Sequence, residues 1–237
     1  MSTEPSLADL RVSSLQAWHG QAHVLHDVTI DVPSGTVVAL FGHNGAGKST
    51  LLRSIAGVHR QCSGHISIGG EQVDTRPAHR VAQLGLVLVR EGAKVFDTMT
   101  VAEHLALGRR LAGKGGRVPR TADEIFDLFP ALAHRRTEQA GYLSGGQRQM
   151  LALGSAFASA PCCLLLDEPS AGLAPSVAEE IYTKVAELSA QGVAVLVAEQ
   201  NDTWLQDVAD RGYLLETGRI VLGVGIEELI ARTHVSG

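Results

Sequence analysis

The segment Gly42-His43-Asn44-Gly45-Ala46-Gly47-Lys48-Ser49 fits the pattern G-x-x-x-x-G-K-[ST]. Its glycines let the backbone curl so that successive N–H groups point inward at phosphate oxygens, and the positive end of a following helix adds to that anion site. Lys48 is expected to reach the terminal phosphates of a nucleotide, the Ser49 hydroxyl to ligate Mg²⁺, and Thr50 to close the cradle. A chance glycine turn is the bland alternative. Spacing, residue types and flanking elements all disfavour it, and the motif by itself makes the chain a nucleotide binder of unspecified purpose.

Two further segments carry chemistry. Leu164-Leu165-Leu166-Asp167-Glu168 ends an apolar strand in consecutive carboxylates, which are expensive to place there unless something cationic or reactive meets them. Asp167 is assigned to the Mg²⁺ shell and Glu168 to polarising an attacking water. An isolated acidic pair would as readily be a solvated turn, but beside a phosphate loop that alternative weakens. Ser144-Gly145-Gly146-Gln147 opens a helix, and its S-x-x-Q pattern suits a capping box. A cap alone does not require two glycines, whereas paired glycines would leave the helix start open to a phosphate.

The elements that must position these residues are legible as alternating strands and helices. Val28, Ile30 and Val32 alternate with polar residues, Pro33-Ser34-Gly35 turns, and Thr36 to Phe41 reads as a buried parallel strand; residues 10–70 read as short strands broken by turns. Ser49 to Gly57 reads as a helix with Leu51, Leu52 and Ile55 on one side. Thr100 with Glu103 and Thr121 with Glu124 form T-x-x-E boxes, so Asp97 to Leu143 is expected to be a mostly helical insert, with a flexible link at Gly113-Lys114-Gly115-Gly116. Helices over Ser144–Ala160 and Pro175–Ala190, strands over Cys162–Leu166 and Val193–Ala198, and a hairpin over Tyr213–Val224 complete an α/β parallel sheet.

Bulk properties narrow the function. With 237 residues and 45% apolar content, one compact domain with a subdomain is expected. No apolar run reaches the ~18 residues needed to cross a bilayer, and the N-terminus, with Glu4 and Asp9, does not read as a secretory signal. A cytoplasmic protein with at most a peripheral membrane role follows. Cys62, Cys162 and Cys163 lack metal-ligand spacing and read as structural thiols. A net charge of -5 argues against a nucleic-acid partner.

Leu143-Ser144-Gly145-Gly146-Gln147, placed shortly before Leu164-Leu165-Leu166-Asp167-Glu168-Pro169, resembles the signature of ABC ATPases, and the resemblance covers nearly the whole chain. It implies a P-loop NTPase core with an antiparallel β subdomain and an inserted helical subdomain at about 97–150, within a domain spanning 9–237 after a tail at 1–8. It implies ATP and Mg²⁺ as cofactors. In that family the signature closes over ATP held by another subunit's phosphate loop, so it also implies a second ATPase subunit, either a sister chain or a copy of itself. Two membrane permease subunits and an extracytoplasmic solute-binding protein are implied as well, with the chain on the cytoplasmic face of the membrane. Val89-Arg90-Glu91-Gly92, Val95-Phe96, Leu128-Phe129-Pro130, Ser170-Ala171-Gly172-Leu173-Ala174-Pro175 and Ala198-Glu199-Gln200-Asn201 resemble the ATPases of branched-chain amino acid importers. A urea or short-chain amide importer is the near neighbour. Soluble ABC ATPases of DNA repair, iron-sulfur assembly or translation usually carry two cassettes, a coiled-coil insert or basic extensions, and none of these is visible.

Some positions depart from the common pattern. Glu91 stands where most ABC ATPases carry a glutamine that touches Mg²⁺; glutamate keeps the oxygen ligand and adds charge. Gln200 replaces the usual switch histidine and can hydrogen-bond a γ-phosphate without titrating near neutral pH. The resemblance places the adenine-stacking ring at His19, with Trp18 beside it, and either could serve. Ser155 stands where arginine is common.

Overall fold

A computed structural model describes residues 9–74, 76–112, 118–200 and 203–228. The tail at 1–8, the link at Gly113–Gly116 and Asn201 lie outside the described residues.

Two sheets and a set of helices make the architecture. Strands β1 (Leu10–His19), β2 (Ala22–Val32), β4 (Cys62–Ile68) and β5 (Glu71–Gln72) form an antiparallel sheet in the order β2-β1-β4-β5. Strands β3 (Val37–Phe41), β6 (Leu86–Val89), β7 (Cys163–Asp167), β8 (Ala194–Glu199), β9 (Arg211–Glu216) and β10 (Arg219–Gly225) form the second, in the order β10-β9-β3-β8-β7-β6. All neighbours in this sheet are parallel except the β9–β10 edge hairpin. In place of the short strands expected over 10–70, β1 and β2 are 10 and 11 residues long. Bulges at Ser14 and Asp27, both with positive φ, bend the pair without ending it, and each shifts the inward alternation by a residue.

The parallel strands are apolar throughout because both faces are covered. Val37, Ala39 and Phe41 of β3, Leu164 and Leu166 of β7, and Val195 and Val197 of β8 join one core with the helical insert. Val38, Leu40, Cys163, Leu165 and Leu196 join the other. Helix α1 (Lys48–Ile55) lies in that second core, wedged against the antiparallel sheet by Leu51, Leu52 and Ile55. Cys162 and Cys163 are buried and Cys62 is half-buried, and none of the three is in a disulfide.

Helix α2 (Ala78–Gln83) was not legible; it is six residues long and buries only Val81. The insert contains α3 (Val101–Arg110), α4 (Ala122–Leu128), α5 (Pro130–Ala133) and a 3₁₀ turn at Ala140–Tyr142. Both T-x-x-E boxes form: the Thr100 and Thr121 hydroxyls accept from the Glu103 and Glu124 amides, and each glutamate accepts from its threonine's N–H. These bonds hold both glutamate carboxyls below the usual carboxylate range. Helices α6 (Gly145–Ala158) and α7 (Pro175–Ser189) follow, each ending within two residues of expectation.

Candidate active site

The phosphate loop joins β3 to α1, so the strand aims it and the helix receives it. Gly45 (φ 82) and Gly47 (φ 111) adopt backbone conformations that L side chains disfavour. Helix α1 begins at Gly47 with no side-chain cap and no acidic residue in its first turn. Helices α3, α4 and α6, by contrast, all begin with complete capping boxes. Its first-turn amides are therefore left for an anion. Distant residues hold the loop from below: the hairpin-turn Gly218 N–H donates to the Ala46 carbonyl at 2.9 Å, and a Cβ on Gly42 would sit 2.5 Å from the Leu215 carbonyl oxygen. This buttress was not legible in the sequence.

The acidic strand end meets the loop. Asp167 Oδ1 accepts from the Ser49 hydroxyl at 2.9 Å. Lys48 Nζ, almost fully buried, donates to the Gly42 carbonyl at 2.6 Å and lies 3.2 Å from Glu168 Oε1. Both carboxylates reach the loop because Glu168 turns to φ 48 while its N–H donates to the Ala198 carbonyl at 2.9 Å. A non-glycine residue held in this region stores strain that the surrounding bonds must offset. Burial pushes the Asp167 carboxyl above the ordinary aspartate range; the Ser49 bond opposes that shift, and the Glu168 and Glu91 charges add to it. A partly buried hydroxyl–carboxylate pair among acidic neighbours is a donor set suited to a hard divalent cation.

The family profile for ABC transporters matches residues 25–171. The chain belongs to the ABC transporter family. It is 41% identical over 213 residues to the high-affinity branched-chain amino acid transport ATP-binding protein BraG of Pseudomonas aeruginosa, covering 90% of this chain and 91% of that one. With the probable branched-chain amino acid transport ATP-binding protein LivF of Archaeoglobus fulgidus it shares 35% identity, over 93% and 94% of the two chains. The crystal structure of a nucleotide-free ATP-binding cassette from an ABC transporter superposes with a TM-score of 0.82 at 27% identity, covering 96% of this chain and 95% of that one. The expected fold is therefore present, and the chain is an ABC ATPase that couples ATP hydrolysis to transport.

Other sequence-selected residues of this ABC ATPase lie in different places. His19 Nε2 is 3.1 Å from the Thr50 hydroxyl, beside the start of α1. Trp18 instead stacks on His23, with centroids 4.6 Å apart and planes 12° apart. Glu91 is exposed after β6 yet near enough for its charge to act on Asp167. Gln200 is exposed directly after β8. The Ser144 box forms, with its N–H donating to Gln147 Oε1 at 3.0 Å and its hydroxyl accepting from the Gln147 N–H at 3.3 Å. Among the described residues, no hydrogen bond or ion pair joins this turn to the chain's own phosphate loop. The paired glycines have unlike roles: a Cβ on Gly145 would meet nothing within 4 Å, while one on Gly146 would sit 3.1 Å from the Val177 side chain of α7. One glycine leaves open space and the other permits helix packing. The buried Glu199 was missed as a site candidate, although it lies in the Ala198-Glu199-Gln200-Asn201 segment and ends an apolar strand in a charge.

Proposed function

We propose that the chain hydrolyses ATP at the cytoplasmic face of a membrane to power an importer of branched-chain amino acids, paired with a second ATPase subunit and docked on two permease subunits. An extracytoplasmic binding protein would deliver the solute. The observation that carries this reading is the 41% identity with BraG along nine-tenths of both chains. The same similarity favours branched-chain amino acids over a short-chain amide and transport over a soluble role. No helix among the described residues is long and apolar enough to cross a membrane, so permeases must supply the path.

In this reading the Gly42–Thr50 amides and Lys48 cradle the ATP phosphates, and His19 stacks on adenine in preference to Trp18. Support for His19 is its contact with Thr50 at the start of α1 and its greater exposure; each ring already has an aromatic neighbour, His59 for His19 and His23 for Trp18. Ser49 and Asp167, with Glu91 nearby, would hold Mg²⁺, which supplies charge neutralisation on the phosphate oxygens. Glu168 polarises the attacking water, and Gln200 donates a hydrogen bond toward the γ-phosphate. The open face at exposed Ser144 and Gly145 suits the phosphates of the other subunit's ATP, since among the described residues nothing lies within 4 Å of a Cβ placed on Gly145.

A cavity of about 690 Å³ between β6 and helices α3 and α6 suits the permeases. Exposed Phe96 and Leu111 line it, and it includes Arg90, the residue before Glu91. Uptake of labelled leucine, isoleucine and valine in cells lacking this chain tests the function. Uptake should be lost, and restored by the wild-type chain but not by Glu168→Gln; undiminished uptake without the chain would refute the solute assignment.

A further inference from the structure

Glu199 is 4% exposed, and its Oε1 accepts three hydrogen bonds: from the Tyr182 hydroxyl at 2.6 Å, the Ser170 hydroxyl at 2.7 Å and the Ser170 N–H at 3.2 Å. No cation pairs with it among the described residues, so hydrogen bonds alone offset its burial, an arrangement costly to keep without a use. Its place in the sheet suggests one. Phe41, the residue before the phosphate loop, pairs with Glu199 in the β3–β8 ladder. On the other side, Asp167 pairs with Ala198, and the Glu168 N–H donates to the Ala198 carbonyl. Strand alternation turns the Glu199 side chain to the face of Val195 and Val197, where Tyr182 of α7 packs. Ser170 lies two residues beyond Glu168, and Gln200 follows Glu199 directly.

We propose that Glu199 is a positioning residue that locks the Glu168–Ser170 turn to the end of β8, and so fixes the separation between Glu168 and Gln200. This inference rests on Glu168 and Gln200 acting at the γ-phosphate. Each residue emerges from one side of the Glu199 bracket, and α7 braces it through Tyr182. Burial, then the Glu199 charge, hold the Tyr182 hydroxyl well above the ordinary phenol range, so it remains a donor at every physiological pH. The strained φ of Glu168 is the kind of local geometry that such a bracket must hold in place. Among the described residues no hydrogen bond joins Ser170 or Tyr182 to the loop or its lysine, and Glu199 is the hydrogen-bond partner the two share.

Steady-state ATPase kinetics and direct nucleotide titration on the full-length chain test the bracket, using S170A, Y182F, their double variant, S170T and E168Q. The double variant should bind ATP within about threefold of wild type while kcat falls on the order of 10–100-fold, because misplacing a reacting group costs rate more than ground-state binding. S170T, which keeps the hydroxyl, should recover most of the loss caused by S170A. Unchanged kcat in the double variant alongside an inactive E168Q overturns the bracket and leaves the catalytic reading intact. Parallel loss of kcat and ATP affinity also overturns it, since that marks general damage. Full turnover in E168Q would instead remove the catalytic reading itself.

Discussion

Glu168→Gln separates two effects of a single carboxylate. Glu168 Oε1 lies 3.2 Å from Lys48 Nζ, with side chains 18% and 4% exposed. At an effective dielectric near 20, unit charges this close attract by about 5 kcal/mol before desolvation is subtracted. Desolvation and the competing Gly42 carbonyl remove most of that, leaving a net preference of ~1–2 kcal/mol, toward the low end of the scale for a charged hydrogen bond. ATP must take Lys48 from Glu168 and place its own negative charge beside the same carboxylate. Removing the charge should therefore tighten ATP binding by about 5- to 30-fold, at 1.36 kcal/mol per decade. The same change removes the group proposed to polarise water, so kcat should fall about 10²- to 10⁴-fold. Titration with ATP and Mg²⁺ gives the first quantity and a phosphate-release assay the second. Weaker binding in the variant would refute the assigned competition for Lys48, and wild-type turnover would refute the role of Glu168.

Asp167→Asn should stabilise the metal-free chain. An acid whose folded pKa is raised loses stability as pH climbs from its unfolded value through its folded one, and carries that penalty at neutral pH. The amide removes the penalty, so melting should rise at pH 7 without Mg²⁺, the gain should vanish in acid, and hydrolysis should be lost. Ser144→Ala removes one hydroxyl from a complete capping box and should cost about 1 kcal/mol in denaturant unfolding. Gly145→Ala should leave unfolding nearly unchanged, because its Cβ enters open space, and reduce turnover; full turnover would separate that glycine from phosphate binding. His19→Ala should weaken ATP binding by ~1–3 kcal/mol and Trp18→Ala by much less, read by the same titration. Equal losses would refute the choice between the two rings.

Much of this site was legible because its chemistry lies in contiguous segments. Gly42–Ser49 and Leu164–Glu168 each carry strand, turn and reacting group within a few residues, so local spacing sufficed to pick out Ser49 and Asp167, and assigning both to one Mg²⁺ implied the contact between them. Capping boxes at Thr100, Thr121 and Ser144 were legible for the same reason, since each is closed by a residue three positions on. What escaped depends on partners far along the chain. Gly218 supports Ala46 from the opposite end of the sequence, and Glu199 meets Ser170 and Tyr182 only after β7, α7 and β8 have packed. Strand order and the bulges at Ser14 and Asp27 likewise follow from pairing, which alternation alone does not encode.

The glycines at 145 and 146 make the same distinction within one motif. Sequence spacing gave them a common purpose, but Val177 accounts for Gly146 by packing, and only Gly145 and the Ser144 cap are left facing solvent. The chain therefore carries the proposed phosphate cradle at the ends of β3 and β7 and, apart from it, a helix start with open space at Gly145. If both belong to one kind of site, no single copy can complete it. A two-fold pairing of ATPase subunits would complete two at once, each from one chain's cradle and the other's turn. Turnover would then rise more steeply than linearly with subunit concentration, and mixing a Lys48→Ala chain with a Gly145→Ala chain would restore one intact site per mixed pair. A linear concentration dependence, with no recovery on mixing, would mean that the open turn at Ser144 serves something other than ATP.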